Sequence, residues 1–425
     1  MTALIVHPQK TPLVGSVPLP SDESIAHRAL VLGALCNGKS RIRSWGAGER
    51  AERTRAALEA MGIEIVADGA DRVVTGAGLF GLRAPSRELD CEKSGASLLC
   101  GVLAAQPFAS AIAGDAPRSR VIDALRARGA RIEAGGAVRI AGLADGEHLG
   151  EIQRELSDPR ADEKSALLLS GLYAHGSTTL REDALTPDHT ERMLLALGVP
   201  LRTLGTMIEL DPAGWSGSMP AFDVRIPSDL SAAAFLIAAA AIVAGSRVTL
   251  RAVGTNPTRA GLLDALRDMQ APLAIEPHGE ESGEPFGDIH VESGVLVAAA
   301  MAGERVTRGM GEIPALCAIA ARARGMTKIR DAGDEPQITT MVATLRAFGV
   351  ACDPAPGGLD IEGTFALLEG ARIDSRGDPR VALSAATLAL VASAPSRIED
   401  VDCLRETFPR FVGTLRALGA RIDVA

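Results

Sequence analysis

Aromatic side chains are scarce in this 425-residue chain, 3% of the total with a single tyrosine, so there is little for nucleobases to stack on. An excess of positive charge is missing too. The 44 Lys and Arg stand against 53 Asp and Glu, a formal net charge of −9, which argues against the basic footprint of a nucleic-acid surface. Paired cysteines are absent: Cys36, Cys91, Cys100, Cys317, Cys352 and Cys403 are scattered without a CxxC pair, most inside apolar runs. They read as buried thiols in a reducing compartment. The seven histidines show no HExxH or paired-ligand spacing, so no metal site is implied. Apolar runs stop well short of the roughly 18–20 residues of a bilayer span. The opening MTALIVHPQK is too short and too polar for a signal peptide. A soluble cytoplasmic protein with no nucleic-acid or membrane partner is expected.

What is present is a phrase repeated six times at spacings of about 70 residues. The copies are LEAMGIEI from Leu58, LRARGARI from Leu125, LLALGVPL from Leu194, LRDMQAPL from Leu266, LRAFGVAC from Leu345 and LRALGARI from Leu415. Each reads as a helix end, a glycine in the left-handed capping position, and a strand of period 2. Gln270 stands in for that glycine in the fourth copy, where a weaker cap is expected. Upstream of most copies lies a small-residue helix that is apolar on nearly every face and therefore buried, such as the stretches 95–110 and 231–246. The unit reads strand, buried helix, strand, surface helix, strand, with room for one more strand. Six units fit two domains of three better than one core. The segment 205–228, rich in Gly, Pro and Ser, is the expected crossover.

Polar residues gather at the starts of the buried helices, at 21–28, 91–97, 158–165, 227–233, 310–315 and 376–382. Ordinary N-capping accounts for any one of them. Six helix starts related by a repeat would also make an anion site from free N–H groups and dipole ends. Arg28, Arg120, Arg160 and Arg380, on or near these turns, suit phosphate and carboxylate recognition.

The motifs themselves carry a resemblance. PSDESIAHRAL (20–30) resembles the PGDKSISHRAL signature of 5-enolpyruvylshikimate-3-phosphate (EPSP) synthases, and EKSALLLSGLYAHGSTTL (163–180), DHTERML (188–194), SDLSAAAFLIAAA (228–240), GEIPALCAIAA (311–321) and GDPRVAL (377–383) are similar to later blocks of that family. Their order and reach identify the chain as a member of the enolpyruvyl transferase superfamily. The resemblance implies an α/β (α+β) fold, an inside-out α/β barrel of two domains, each of three βαβαββ units, with the active site between them. Residues 1–19 and 229–425 would form a discontinuous domain, and 20–228 the second. It also implies transfer of the carboxyvinyl group of phosphoenolpyruvate (PEP) to the 5-hydroxyl of shikimate-3-phosphate, without a metal or organic cofactor, by a monomer.

The same resemblance assigns sites. Ser24, Arg28 and Thr186 match residues that hold the shikimate-phosphate moiety. Gly95, Arg120 and Arg380 match residues around PEP, and Glu312 matches the second acid of an Asp-Glu pair. Elsewhere the chain departs. Glu23 replaces a Lys that touches both substrates, Leu99 an Arg, Lys93 an Asn and Pro187 an Arg. Residues 160–162 (Arg-Ala-Asp) replace a Ser-Ala-Gln-like triplet, and Gly311 the Asp credited as base. A Glu-Lys-Arg loop is shortened to 331–337, and Glu406 stands where one branch has Lys. Arg160, Lys93, Lys164 and Asp162 are thus candidate replacement groups for an anion site, and Glu23, Asp162 and Glu312 candidate acids or bases. Two alternatives stand beside transfer: different acid/base chemistry, such as an elimination, on a less anionic cyclic substrate, or ligand binding without catalysis.

Overall fold

The computed structural model describes the chain apart from residues 1, 47, 116, 118, 158–160 and 334. The chain divides into two compact units. One comprises Met1–Pro20, Ser228–Gly279 and Pro285–Ala425, the other Ser21–Pro227 and Glu280–Glu284. Among the described residues each unit carries three four-stranded sheets and a single apolar core of its own.

The sheet Leu89–Cys91, Ser110–Gly114, Val138–Ile140, Ile132–Ala134 shows the common plan. Its first two strands pair in parallel and the remaining pairings are antiparallel. A parallel pair needs a crossover, which the helix Lys93–Leu103 provides. The helix Ser119–Ala127 then leads into the closing hairpin. The same order recurs in Ile152–Leu156, Thr178–Glu182, Met207–Leu210, Leu201–Leu204, around the helix Ala161–Gly171. The room left for a further strand in each repeat is filled.

Two sheets of the first unit and one of the second are completed by strands distant in sequence. Asp223–Arg225 lies parallel to Asn37–Arg43, and Val14–Val17 lies parallel to Arg247–Gly254. Leu4–Val6 runs antiparallel between Ser396–Glu399 and Ile422–Val424.

The crossover helices are buried on every side, as their composition requires. In Leu230–Ile242 all residues but Ser231 are buried. Small residues let such helices meet backbone to backbone. A Cβ on Gly101 of Lys93–Leu103 would stand 2.4 Å from the carbonyl oxygen of Ala166 in Ala161–Gly171, closer than any side-chain carbon can approach.

All six repeated phrases end their helices alike. The N–H two residues past the last helical turn donates to the carbonyl of the phrase's leucine, as in Ile63 to Leu58 (3.1 Å) and Val350 to Leu345 (3.0 Å), and the intervening residue donates one position later. This double bond is the Schellman cap, whose C′ residue must be left-handed. Gly62, Gly129, Gly198, Gly349 and Gly419 have φ between 77° and 103°. Gln270 takes φ 57°, so the fourth cap is built by a residue with a Cβ.

Five cysteines are buried and Cys403 partly so, all free thiols. Burial pushes Cys91 and Cys100 up to about 12, the state of inert core thiols.

Candidate active site

In the unit of Ser21–Pro227 the polar residues lie at the starts of three crossover helices. Asp22 caps Glu23–Leu35, its carboxylate accepting from the Ile25 N–H at 3.1 Å. Glu92 caps Lys93–Leu103 in the same way, accepting from Ser94 N–H at 2.9 Å. Capping thus accounts for these two carboxylates.

Arg28 sits a turn further in and is buried. Its Nη1 donates to the Ser24 carbonyl (2.7 Å), Nε to Thr190 Oγ1 (2.8 Å) and Nη2 to Ser165 Oγ (2.9 Å). Thr190 Oγ1 also donates to Ser165 Oγ at 2.8 Å. Oxygens from three segments thus fix the orientation of this guanidinium. Arg28, Ser24 and the start of Ala161–Gly171 are therefore brought together.

His27, beside Arg28, is fully buried, with Nδ1 2.9 Å from Thr54 Oγ1. Burial, reinforced by the charges of Arg28 and Arg50, lowers its pKa to about 3, so the ring is neutral. Thr54 also explains Gly95: a Cβ there would lie 2.2 Å from Thr54 Oγ1. The glycine that the sequence ties to a ligand is thus demanded by the protein's own packing. Glu23 gains a partner that was not expected, Arg50 Nη1 at 4.0 Å.

Arg120 lies 3.9 Å from Glu163, and its Nη1 donates to the Ser157 carbonyl (3.2 Å). Arg154 Nε bonds the same carboxylate at 2.7 Å. Asp162 Oδ1 accepts from the Glu163 N–H at 3.0 Å in the first turn of that helix. Thr186 is buried and its hydroxyl donates to Glu182, which turns it toward a buried carboxylate. Burial raises the Glu182 carboxyl, opposed by Lys164. Lys164 is itself 1% exposed and bridges Glu182 (3.1 Å) and Glu191 (2.7 Å). Arg160 lies outside the described residues.

In the other unit Asp229 caps Leu230–Ile242, accepting from Ser231 N–H at 2.9 Å. Ser231 Oγ donates to Glu312 Oε1. Arg259 Nη2 reaches both Ser231 Oγ (2.7 Å) and Glu312 Oε1 (3.3 Å). Glu312 is buried, and Arg259 is an ion-pair partner within reach of its carboxylate. Asp378 caps Pro379–Ala389 and also accepts from Gln337 Nε2 at 2.8 Å. Arg380 is exposed at the first turn of that helix. A Cβ added to Gly311 would meet Ser231 Oγ at 3.5 Å and Arg380 Nη2 at 3.6 Å, ordinary contact distances. The position of the family's Asp therefore tolerates a Cβ and lies against Ser231 and Arg380. Glu312, Gly311 and Arg380 come together here, joined by Ser231 and Arg259.

Among the described residues no group of three or more His, Cys, Asp or Glu is placed to hold a metal ion, and none of their helices is long and apolar enough to cross a membrane.

A family model described as EPSP synthase (3-phosphoshikimate 1-carboxyvinyltransferase) matches residues 8–415. The protein named 3-phosphoshikimate 1-carboxyvinyltransferase in Geobacter sp. (strain M21) is 38% identical, over 96% of this chain and 97% of its own. The protein of that name in Pelobacter propionicus is 39% identical, over 95% and 96%. A solved EPSP synthase from Acinetobacter baumannii superposes with a TM-score of 0.91 at 34% identity, covering 100% of both chains.

Proposed function

The chain belongs to the EPSP synthase family, and on that footing we propose that it is an enolpyruvyl transferase. It moves the carboxyvinyl group of PEP to the 5-hydroxyl of shikimate-3-phosphate, or of a related cyclic acid, and releases phosphate. The reaction forms a bond from the acceptor oxygen to C2 of PEP and breaks the bond from C2 to the phosphate oxygen. The hydroxyl loses its proton, and the PEP methylene carbon gains one proton and later returns one. The protein must also hold two phosphates and two carboxylates.

The single observation that carries this reading is the fixed cation at Arg28, held by Ser24, Ser165 and Thr190. A guanidinium already oriented loses little freedom when it binds an oxyanion. Ser24 and Arg28 serve the acceptor, joined on that side by Thr186, whereas Arg120 and Arg380, with Arg160, serve the anionic groups of PEP. Gly95 keeps the Lys93–Leu103 helix start close to His27 and Thr54. Glu312, held by Ser231 and Arg259, is the acid/base group, with Glu23 and Asp162 as its candidate counterparts. The enzyme works as a cytoplasmic monomer on small anionic substrates.

Phosphate release from PEP plus shikimate-3-phosphate is the test. Turnover above a no-acceptor background is expected, and none at millimolar substrate overturns the reading. The lack of a carboxylate at Gly311, beside Arg380, favours a second reading, acid/base chemistry such as an elimination on a cyclic acid carrying less charge. A thermal-shift screen of cyclic hydroxy acids without any stabilised complex excludes it.

A further inference from the structure

We propose that Arg50 is a substrate-binding residue of this site, held in the free protein by Glu23 and drawn onto an anionic group of the ligand when that group arrives. The inference rests on the transferase reading and names a contact for it.

Its ground is the geometry of the helix Glu49–Ala60. Residues four apart on a helix share a face, so Arg50 stands one turn before Thr54. Thr54 is fixed in space from two sides. Its Oγ1 is 2.9 Å from His27 Nδ1, and it fills the space that a Gly95 side chain would need. The turn that carries Arg50 is therefore placed beside the starts of both Glu23–Leu35 and Lys93–Leu103. The distances agree: Arg50 Nη1 is 4.0 Å from Glu23 Oε2, and the Arg50 charge is felt by the buried His27 ring.

Exposure distinguishes the two cations of this cluster. Arg28, the other cation of this cluster, is 7% exposed and held by three oxygens. The Arg50 side chain is 35% exposed and that of Glu23 26%. At 4.0 Å the pair is an ion contact and not a tight bidentate bond, which a phosphate or carboxylate can replace with two parallel N–H donors. Glu23 then sets the cost of binding, because it competes with the ligand for Arg50 and repels the same charge. The net effect of a Glu at position 23 is thus smaller than a lysine-to-glutamate reversal at an isolated site, since the pair carries its own cation.

The experiment is calorimetric titration of the full-length protein with shikimate-3-phosphate, PEP and inorganic phosphate in separate runs. Wild type is compared with R50A, R50K, E23Q and E23Q/R50A, each first shown to keep the wild-type melting temperature. R50A is expected to weaken at least one of the three ligands by ~10-fold or more, the loss of a charge-assisted pair. R50K recovers part of that loss. E23Q strengthens the same ligand, and by less when Arg50 is absent. Equal affinity in R50A and wild type, or weaker binding in E23Q, overturns the role of Arg50 while leaving the transferase reading intact. A wild-type protein that binds none of the three overturns both. If R50A melts early, R50Q and R50K keep the length of the side chain and decide the question.

Discussion

His27 is a buried ring facing the cations Arg28 and Arg50 and the carboxylates of Asp22 and Glu92, the last 3.7 Å from Nε2, and it contributes a pH dependence to stability. Its folded pKa is about 3 against an ordinary value of 6.5. Between those values the unfolded chain takes up a proton that the folded protein refuses. The contribution is therefore fully present above pH 6.5 and is lost as pH falls toward 3. The loss between pH 7 and pH 5 amounts to about 2 kcal/mol. His27→Gln keeps a polar group for Thr54 and cannot titrate, so its stability curve should be flatter by about that amount over this range. Urea unfolding of both proteins at pH 7 and pH 5 measures the difference, and parallel curves would refute it. None of this was readable from the motif, in which His27 is one letter of SIAHR. The shift arises first from burial, then from the charge of Arg28 and from that of Arg50, which lies on a different helix.

The helix caps are legible in the sequence, because a left-handed terminal residue selects glycine and the phrase repeats it five times in six. The exception is informative. Gln270 adopts φ 57° and still makes both capping bonds, Gln270 N–H to the Arg267 carbonyl (3.0 Å) and Ala271 N–H to Leu266 (2.9 Å). The cap is therefore formed geometrically but carries the steric cost of a Cβ. Since Gln270 is exposed, no packing is lost on replacing it. Gln270→Gly should stabilise the unit of Ser228–Gly279 and Pro285–Ala425 by about 0.5–1 kcal/mol. A denaturation midpoint unchanged or lowered in the variant would contradict that account. The polar starts of the buried helices were equally legible as caps, and Asp22, Glu92, Asp229 and Asp378 are caps. Less legible was which side chains from other elements reach them. Arg50 and Arg259 are set by packing between elements, which no local spacing encodes, and so is the burial of Lys164 on Glu182 and Glu191, which makes it a core ion pair and not the ligand-binding replacement group its position suggests.

At the scale of the whole molecule the repeat is closed by exchange of strands, and the N-terminal segment matters more than a terminus usually does. Leu4–Val6 is the third strand of a four-stranded sheet, hydrogen-bonded to Ser396–Glu399 on one side and Ile422–Val424 on the other. Leu4 and Val6 are 2% and 0% exposed and belong to the core of that unit. Composition alone gave MTALIVHPQK no such weight; only a repeat that lacks one strand at its C-terminal copy calls for it. Removing residues 1–7 would delete both buried side chains and leave two strands without their ladder partner. Buried aliphatic losses of about 2–5 kcal/mol for a leucine alone, added to unpaired backbone groups, approach the whole stability of a typical domain, roughly 5–15 kcal/mol. The truncated protein should therefore lose amide-exchange protection in Ser396–Glu399, Ile422–Val424 and the helix Pro379–Ala389, which packs on the same core. The sheets of Ser21–Pro227 contain no residue from the deleted segment, and their amides serve as the internal reference. Hydrogen exchange with mass spectrometry on the full and shortened chains reads both sets at once. Unchanged protection at 396–399 and 422–424 would mean that those strands hold without their central partner, and that the strand exchange does not bear the stability assigned to it.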